Sequence, residues 1–199
     1  MKVELLQYTP LEVADTAIAK CYNKKPYTDL EKIQGRIDRV ANVSKHSSTI
    51  EHLVYSFDID GISRAVLQEL ARHRIASYTV KSTRYTLSEL KNSEFGTVNE
   101  FLVLTGRDTI DIYNCEQLLK LRDLLQSGKV TNDIAKYMLP EAYKTSLVMT
   151  INARALQNFL ALRTDSHALW EIQNLARAMY QVIPDEHIFL FKDSVSTET

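Results

Sequence analysis

Glycine is scarce in this 199-residue chain: five in all, and none forms G-x-G-x-x-G or G-x-x-x-x-G-K-[S/T]. A Rossmann turn or a P-loop needs such glycines to bring backbone N–H groups onto phosphate, so any dinucleotide bound here is held by other means. Cysteine is scarcer still. Cys21 and Cys115 stand far apart with no C-x-x-C spacing, which argues against a disulfide framework or a zinc ribbon and leaves two small core residues. The histidines show no H-E-x-x-H or other recognised ligand spacing, so no metal site is expected. No run reaches the roughly 18 consecutive apolar residues of a membrane span. Met1-Lys2-Val3-Glu4 places charge where a signal peptide needs an apolar stretch. A net charge of −1 gives no global field for bulk binding to nucleic acid or membrane. The expectation is a cytoplasmic protein with reduced thiols, folded as one domain over 1–199.

The chain alternates strand and helix signals. Lys2–Tyr8 reads as a strand. Thr9-Pro10-Leu11-Glu12 reads as a capping box with Pro at the first helical position, followed by an apolar stripe at Ala14, Ala17, Ile18 and Cys21. After the loop 23–27, Thr28-Asp29-Leu30-Glu31 opens a second helix with Leu30, Ile33, Ile37, Val40 and Ala41 on one face. From His52 to Ile59 the period is two, with Leu53, Tyr55, Phe57 and Ile59 on one side, as in a half-buried strand. Gly61 is expected to break it, and Ser63 to cap a helix running to about Arg74. Residues 75–88 lack an apolar period and read as a loop. Phe101–Thr105 and Ser146–Ile151 are strand candidates. Helices are expected over Asp111–Gln126 (stopped by Gly128), from Asn132 to before Pro140, and over Ala153–Leu162 and Ser166–Val182. The class is α+β, with a mixed or antiparallel sheet.

The most informative stretch is Arg72-His73-Arg74, seven further residues, then Ser82-Thr83-Arg84-Tyr85. Three guanidiniums, an imidazole, a lysine and two phenols crowd these fourteen residues, with no acid among them. Unpaired buried charge costs several kcal/mol, so such a segment is either solvated or holds an anion. Arginine forks match phosphate and carboxylate oxygens two at a time. The chemistry points to a phosphorylated ligand. A second cluster, Asn152, Arg154, Asn158, Arg163, Asp165 and His167, offers amides and guanidiniums suited to a flat heterocycle or phosphates. Asn158 is four after Arg154 on the same helix face, Arg163 does not continue that face, and Asn152 can sit at the N-cap. Alone, the cluster also fits a solvated helix face with Leu156, Phe159, Leu160 and Leu162 underneath.

Two other readings stand beside a phosphate site. Arg72, Arg74, Lys81 and Arg84 on phosphates with Tyr78 or Tyr85 stacking would make a nucleic-acid module. A structural oligomerisation domain would leave the basic segment merely solvated. Ser82 as a nucleophile with His73 as its base lacks a nucleophile elbow and an orienting acid.

R-H-R-x7-S at 72–82, H-S-S-T-I-E-H at 46–52 and I-N-A-R-A-L-Q-N-F-L-A-L-R-T-D-S-H-A-L-W-E-I-Q at 151–173 together resemble flavin-dependent thymidylate synthases, in that family's order and approximate spacing. The resemblance implies a homotetramer with sites shared between subunits. It implies FAD, NADPH as reductant, and transfer of a methylene from 5,10-methylenetetrahydrofolate to C5 of dUMP. By similarity, Ser48, Arg72, His73, Arg74, Val80 (through its backbone), Asn152, Ala153, Arg154 and Asn158 would bind FAD, with His46 near the flavin ring. Glu69, Arg72, Lys81, Ser82, Thr83, Arg84, Lys136 and Arg163 would bind dUMP, the phosphate falling to Ser82, Thr83 and Arg84. Arg163 matches the arginine that addresses the uracil edge and favours loss of its N3 proton.

The chain departs from the family pattern at three places. Thr79-Val80 stands where Asn-Glu is frequent, removing a carboxylate contact. Glu69 stands where Gln is common, keeping an acceptor but not an amide donor. Lys136 stands where Arg is common, keeping charge without the bidentate fork. These changes bear on affinity and rate rather than on reaction class.

Overall fold

The computed structural model describes residues 1–196. Its strands are β1 (Lys2–Tyr8), β2 (Val54–Ser63), β3 (Ala76–Val80) and β4 (Lys144–Asn152), ordered β1-β2-β4-β3 in one sheet. The helices are α1 (Leu11–Cys21), α2 (Leu30–Ile37), α3 (Arg64–Leu70), α4 (Thr83–Asn92), α5 (Asp108–Gln126), α6 (Asn132–Ala135), α7 (Ala153–Arg163) and α8 (Trp170–Gln181). The class is α+β, as expected. No helix among the described residues is long and apolar enough to cross a membrane.

Two compact units can be distinguished. One comprises Met1, Asp60–Ala71 and Thr79–Leu147; the other comprises Lys2–Ile59, Arg72–Tyr78 and the described residues from Val148 onward. The core of the first is Leu87, Leu90, Val98, Leu102, Leu118, Leu121, Leu125, Ala135 and Tyr143, where α4, α5 and α6 meet. In the second, Leu53 and, in β2, Tyr55, Phe57 and Ile59 are fully buried on one side, as the period of two requires. There α7 packs on α8 and on the 3₁₀ helix Ser47–His52, and α1 packs on α2. Burying Leu156, Phe159 and Leu160 on α7 stabilises the unit by roughly 1.5–3 kcal/mol per side chain.

Several boundaries differ from those read in the sequence, each for a local reason. Thr9 does not cap α1, because its hydroxyl and amide bond the backbone of Val54 in β2; Pro10 stands at the cap position without a side-chain bond. The second cap is Asp29, which accepts from the Lys32 amide, one residue past Thr28. Beyond Ile37 the helix loosens into a π-helical turn, Asp38–Val43. Strand β2 passes through Gly61 rather than ending there, because glycine takes a φ of 75° without strain. Ser63 does cap α3, accepting from the Val66 amide, but α3 stops at Leu70 and leaves Arg72-His73-Arg74 in coil. Residues 75–88 are not a loop: they hold β3 and the first turns of α4. The expected strand at Phe101–Thr105 is replaced by a 3₁₀ turn and a single bridge, Leu102 to Tyr143. Gly128, at φ 69°, follows the end of α5 as expected. Cys21 is exposed at the end of α1 rather than buried, and Cys115 is partly buried.

Loop 23–29 is pinned from below. Arg36 and Asp15, both buried, pair at 3.0 Å; Asp15 also accepts from the Tyr27 amide at 2.7 Å, and Tyr27 lies 3.6 Å under the Arg36 guanidinium. A second buried polar pair joins Tyr55 Oη to His187 Nδ1 at 2.6 Å. Burial pushes the Tyr55 phenol far up, so Tyr55 keeps its proton and donates to the imidazole. Burial likewise holds His187 below its ordinary value, with Glu186 and Glu12 opposing in part.

That depression has a defined sign. Above the unfolded value, about 6.5, neither state carries the proton and the contribution of His187 is fully present. As pH falls from there through the lower folded value, the unfolded state is protonated first and stability is lost. Resistance of the wild type to urea should therefore weaken as pH falls from about 7.5 to 5.5, and the double variant Tyr55→Phe, His187→Phe should show a flatter dependence there. Parallel curves for the two proteins would assign that acid sensitivity to other groups.

Candidate active site

The second unit holds a cleft of about 870 Å³ lined by Glu51, Arg72, His73, Arg74, Ile75, Asn152, Arg154, Ala155, Asn158, Leu162 and Arg163. Strand β4 ends in Asn152, whose side chain accepts from the Ala155 amide at 2.8 Å and caps α7, as its place before the apolar run suggested. From there Arg154, Asn158 and Leu162 follow at intervals of four and share a face. Arg163, the last residue of α7, does not share it by periodicity, yet its side chain reaches the same cleft.

The coil 72–75 forms another wall. The His73 imidazole stands edge-on to Phe159 of α7, with ring centres 4.9 Å apart at 79°. The Tyr78 hydroxyl donates to the His73 carbonyl at 2.7 Å; partial burial pushes that phenol up to about 12, so it stays protonated at neutral pH. Arg163 Nε donates to His73 Nε2 at 3.0 Å. An arginine can only donate, so Nε2 is the bare nitrogen and Nδ1 carries the proton. This engagement also takes the ring nitrogen that a serine nucleophile would need.

Four guanidiniums thus line the cleft with a single carboxylate. That carboxylate, Glu51, accepts from Arg154 Nη1 at 2.6 Å. Exposed apolar side chains, Ile75 and Leu162, lie among the charges. The donor set suits an elongated anion carrying a flat ring: forks for phosphate oxygens, the amides of Asn152 and Asn158 for ring edges, and apolar surface for the ring face.

Of the residues singled out in the sequence, Arg72, His73, Arg74, Asn152, Arg154, Asn158 and Arg163 are brought together here. Ala153 is buried beside the cleft, its amide donating to the Leu53 carbonyl at 2.7 Å. Ser48 and His46 are exposed, at and before the 3₁₀ helix Ser47–His52, and neither lines the cleft. Asp165 turns its carboxylate to the amide and ring of His167, which hold it below the usual carboxylate range. Sequence reasoning missed Glu51, Ile75, Ala155 and Leu162. Glu51 lies inside the block 46–52; Leu162, read in the sequence as lying underneath with Leu156, is instead exposed and lines the cleft, as its place eight after Arg154 on the same face requires.

The remaining residues belong to the first unit and are described there. Ser82 is the N-cap of α4 and makes no side-chain cap bond, while Thr83 opens the helix; a helix start of this kind presents amides to an anion. Arg84 lies 3.9 Å from Asp133, and Lys81 pairs with Glu89 at 2.9 Å while its amide donates to the Ser146 carbonyl. Val80 ends β3, Glu69 lies in the last turn of α3, and Lys136 follows α6 with its ammonium 5.8 Å from the Tyr137 ring. Lys81 and Arg84, two of the four cations that a nucleic-acid module would use, thus have acidic neighbours.

A family model described as "Thymidylate synthase complementing protein" matches residues 4–187. The flavin-dependent thymidylate synthase of Campylobacter jejuni strain RM1221 is 50% identical, with 96% of each chain covered. That of Wolinella succinogenes is also 50% identical, covering 96% of this chain and 97% of its own. The crystal structure of thymidylate synthase X from Helicobacter pylori with FAD and dUMP is 45% identical, with a TM-score of 0.93 over 99% of this chain and 100% of that one. With half its residues shared across nearly its whole length, and with the arginine-rich cleft in place, the chain belongs to the flavin-dependent thymidylate synthase family.

Proposed function

We propose that this enzyme converts dUMP to dTMP, taking the carbon from 5,10-methylenetetrahydrofolate, with FAD held in the cleft of the second unit and reduced by NADPH. The observation that carries the reading is the convergence of Arg72, Arg74, Arg154 and Arg163 with the amides of Asn152 and Asn158 in one cleft. These groups fit a flavin dinucleotide: its diphosphate needs cations that the chain does not supply through glycine-rich turns, and its ring needs amide partners and apolar cover. Arg72, His73, Arg74, Asn152, Arg154 and Asn158 would hold it, together with Ser48 and the backbones of Val80 and Ala153. When bound, the flavin supplies the hydride that completes the methyl group.

The protein's own part is electrostatic. Arg163 presents a guanidinium to the cleft, a group that carries its charge permanently in proteins. Directed at the uracil edge, it stabilises the negative charge that develops as the N3 proton leaves, at no cost of reorganisation. Arginine is no base at neutral pH, so it promotes the ionisation without receiving the proton. Arg72 would neutralise charge on both ligands. Ser82, Thr83 and Arg84, at the start of α4, would take the dUMP phosphate, aided by Lys81, Glu69 and Lys136. We place the enzyme in the cytoplasm as a homotetramer in which different copies contribute to one site.

An anaerobic visible spectrum tests the whole reading. Added FAD should bind, NADPH should bleach it, and colour should return only with dUMP and methylenetetrahydrofolate together, matched by dTMP. Absence of bound flavin in folded protein, or return of colour without both substrates, would overturn it. Arg163→Ala should lower dTMP formation about 10²- to 10³-fold or more, the cost of removing one preorganised donor, while leaving the bound-flavin spectrum intact. Loss of the flavin in that variant would make Arg163 a cofactor ligand instead. Arg84→Ala should raise the KM for dUMP about 10- to 100-fold, the range for one charge-assisted hydrogen bond, with kcat changed less. An unchanged KM would remove Arg84 from the phosphate site.

A further inference from the structure

We infer that His73 is a positioning residue for Arg163, and that it acts only as the neutral imidazole with its proton on Nδ1. The inference rests on the thymidylate synthase reading for its consequence, though not for its geometry. Arg163 is the last residue of α7, half a turn away from the face that carries Arg154 and Asn158, on a long side chain with several torsions. A flexible chain in that place needs a contact that selects one orientation. The Nε–H bond to His73 Nε2 at 3.0 Å is such a contact, because Nε fixes the plane of the guanidinium rather than one of its tips. His73 can serve as a fixed acceptor because it is itself held twice, by Phe159 at the ring edge and by the Tyr78 hydroxyl at its carbonyl.

The device is sensitive to one proton. A proton on Nε2 leaves nothing for Nε–H to donate to and puts two cations 3.0 Å apart. The ionisable groups of the cleft around the ring are Arg72 and Arg74 on its own segment, Arg154 and Arg163 on α7, Glu51 on the 3₁₀ helix and Tyr78 on β3. The only acid among them, Glu51, is bonded to Arg154. Acid therefore breaks the contact that orients Arg163, because a protonated Nε2 no longer accepts from its Nε–H.

The contact is read first without ligands. In [¹⁵N]histidine-labelled full-length protein at about pH 7.5, with His73 identified by its loss in His73→Gln, Nε2 should show the shift of an unprotonated nitrogen and Nδ1 that of a protonated one. A protonated Nε2 would overturn the inference whatever the enzyme does. Turnover at saturating FAD and dUMP then reads the consequence. His73→Leu should lower kcat about 10²-fold, as misplacement of a catalytic group does. Adding Arg163→Ala to His73→Leu should cost little more, since both remove one unit. His73→Gln keeps an acceptor near Nε2 and cannot titrate, so it should stay within about tenfold of wild type and lose the acid limb of the kcat profile. Additive losses in the double variant, or an acid limb retained in His73→Gln, would overturn the positioning role. If His73→Leu fails to hold FAD, the glutamine variant and the tautomer decide the matter. Absence of dTMP from the wild type would overturn the functional reading and leave the tautomer test standing.

Discussion

One backbone hydrogen bond sets the frame of the cleft: the Ala153 amide to the Leu53 carbonyl, at 2.7 Å. It joins the residue before β2 to the first residue of α7, and so decides where that helix starts. Asn152 closes the junction by capping the helix one residue earlier. Once α7 begins there, Arg154, Asn158 and Leu162 fall on the cleft face, and Leu156, Phe159 and Leu160 fall on the buried one. The same junction brings the 3₁₀ helix ending at His52 beside α7, which is why Glu51 meets Arg154. A slip of one residue at this point would turn every one of these side chains by about 100° around the helix.

The charges of the cleft are unequal by design of position. Glu51 satisfies one guanidinium of four, leaving a net excess of positive charge that a dianionic or trianionic ligand can balance. Because the cleft is open to water, that excess is tolerated in the absence of ligand through hydration rather than burial. Binding then exchanges water for phosphate oxygens, and Arg154 is the cation whose existing partner must compete with them.

Much of this was written plainly in the chain. The period of two across 53–59 placed four side chains in the core, and Asn152 announced its cap. The cation cluster was visible as composition before any geometry existed. What escaped the sequence was decided by partners remote in the chain. Ala76–Val80 carries Tyr, Thr and Val, all good strand formers, but only pairing with β4 makes it a strand. Thr9 had the pattern of a cap, and its hydroxyl went instead to Val54, forty-five residues away. Arg163 could be named but not aimed, because its orientation depends on an imidazole ninety residues earlier.

The staple under loop 23–29 limits how this part of the chain can vary. Exposed loops ordinarily accept substitution and insertion freely. Here Asp15 and Arg36 are buried together and Tyr27 is bound to both by its amide and its ring. Losing either charge alone strands the other at a cost of about 3–5 kcal/mol, whereas an apolar pair of similar volume is close to neutral. Across descendants of this sequence, positions 15 and 36 should therefore change in concert or not at all, and a surface loop inherits the conservatism of the core beneath it.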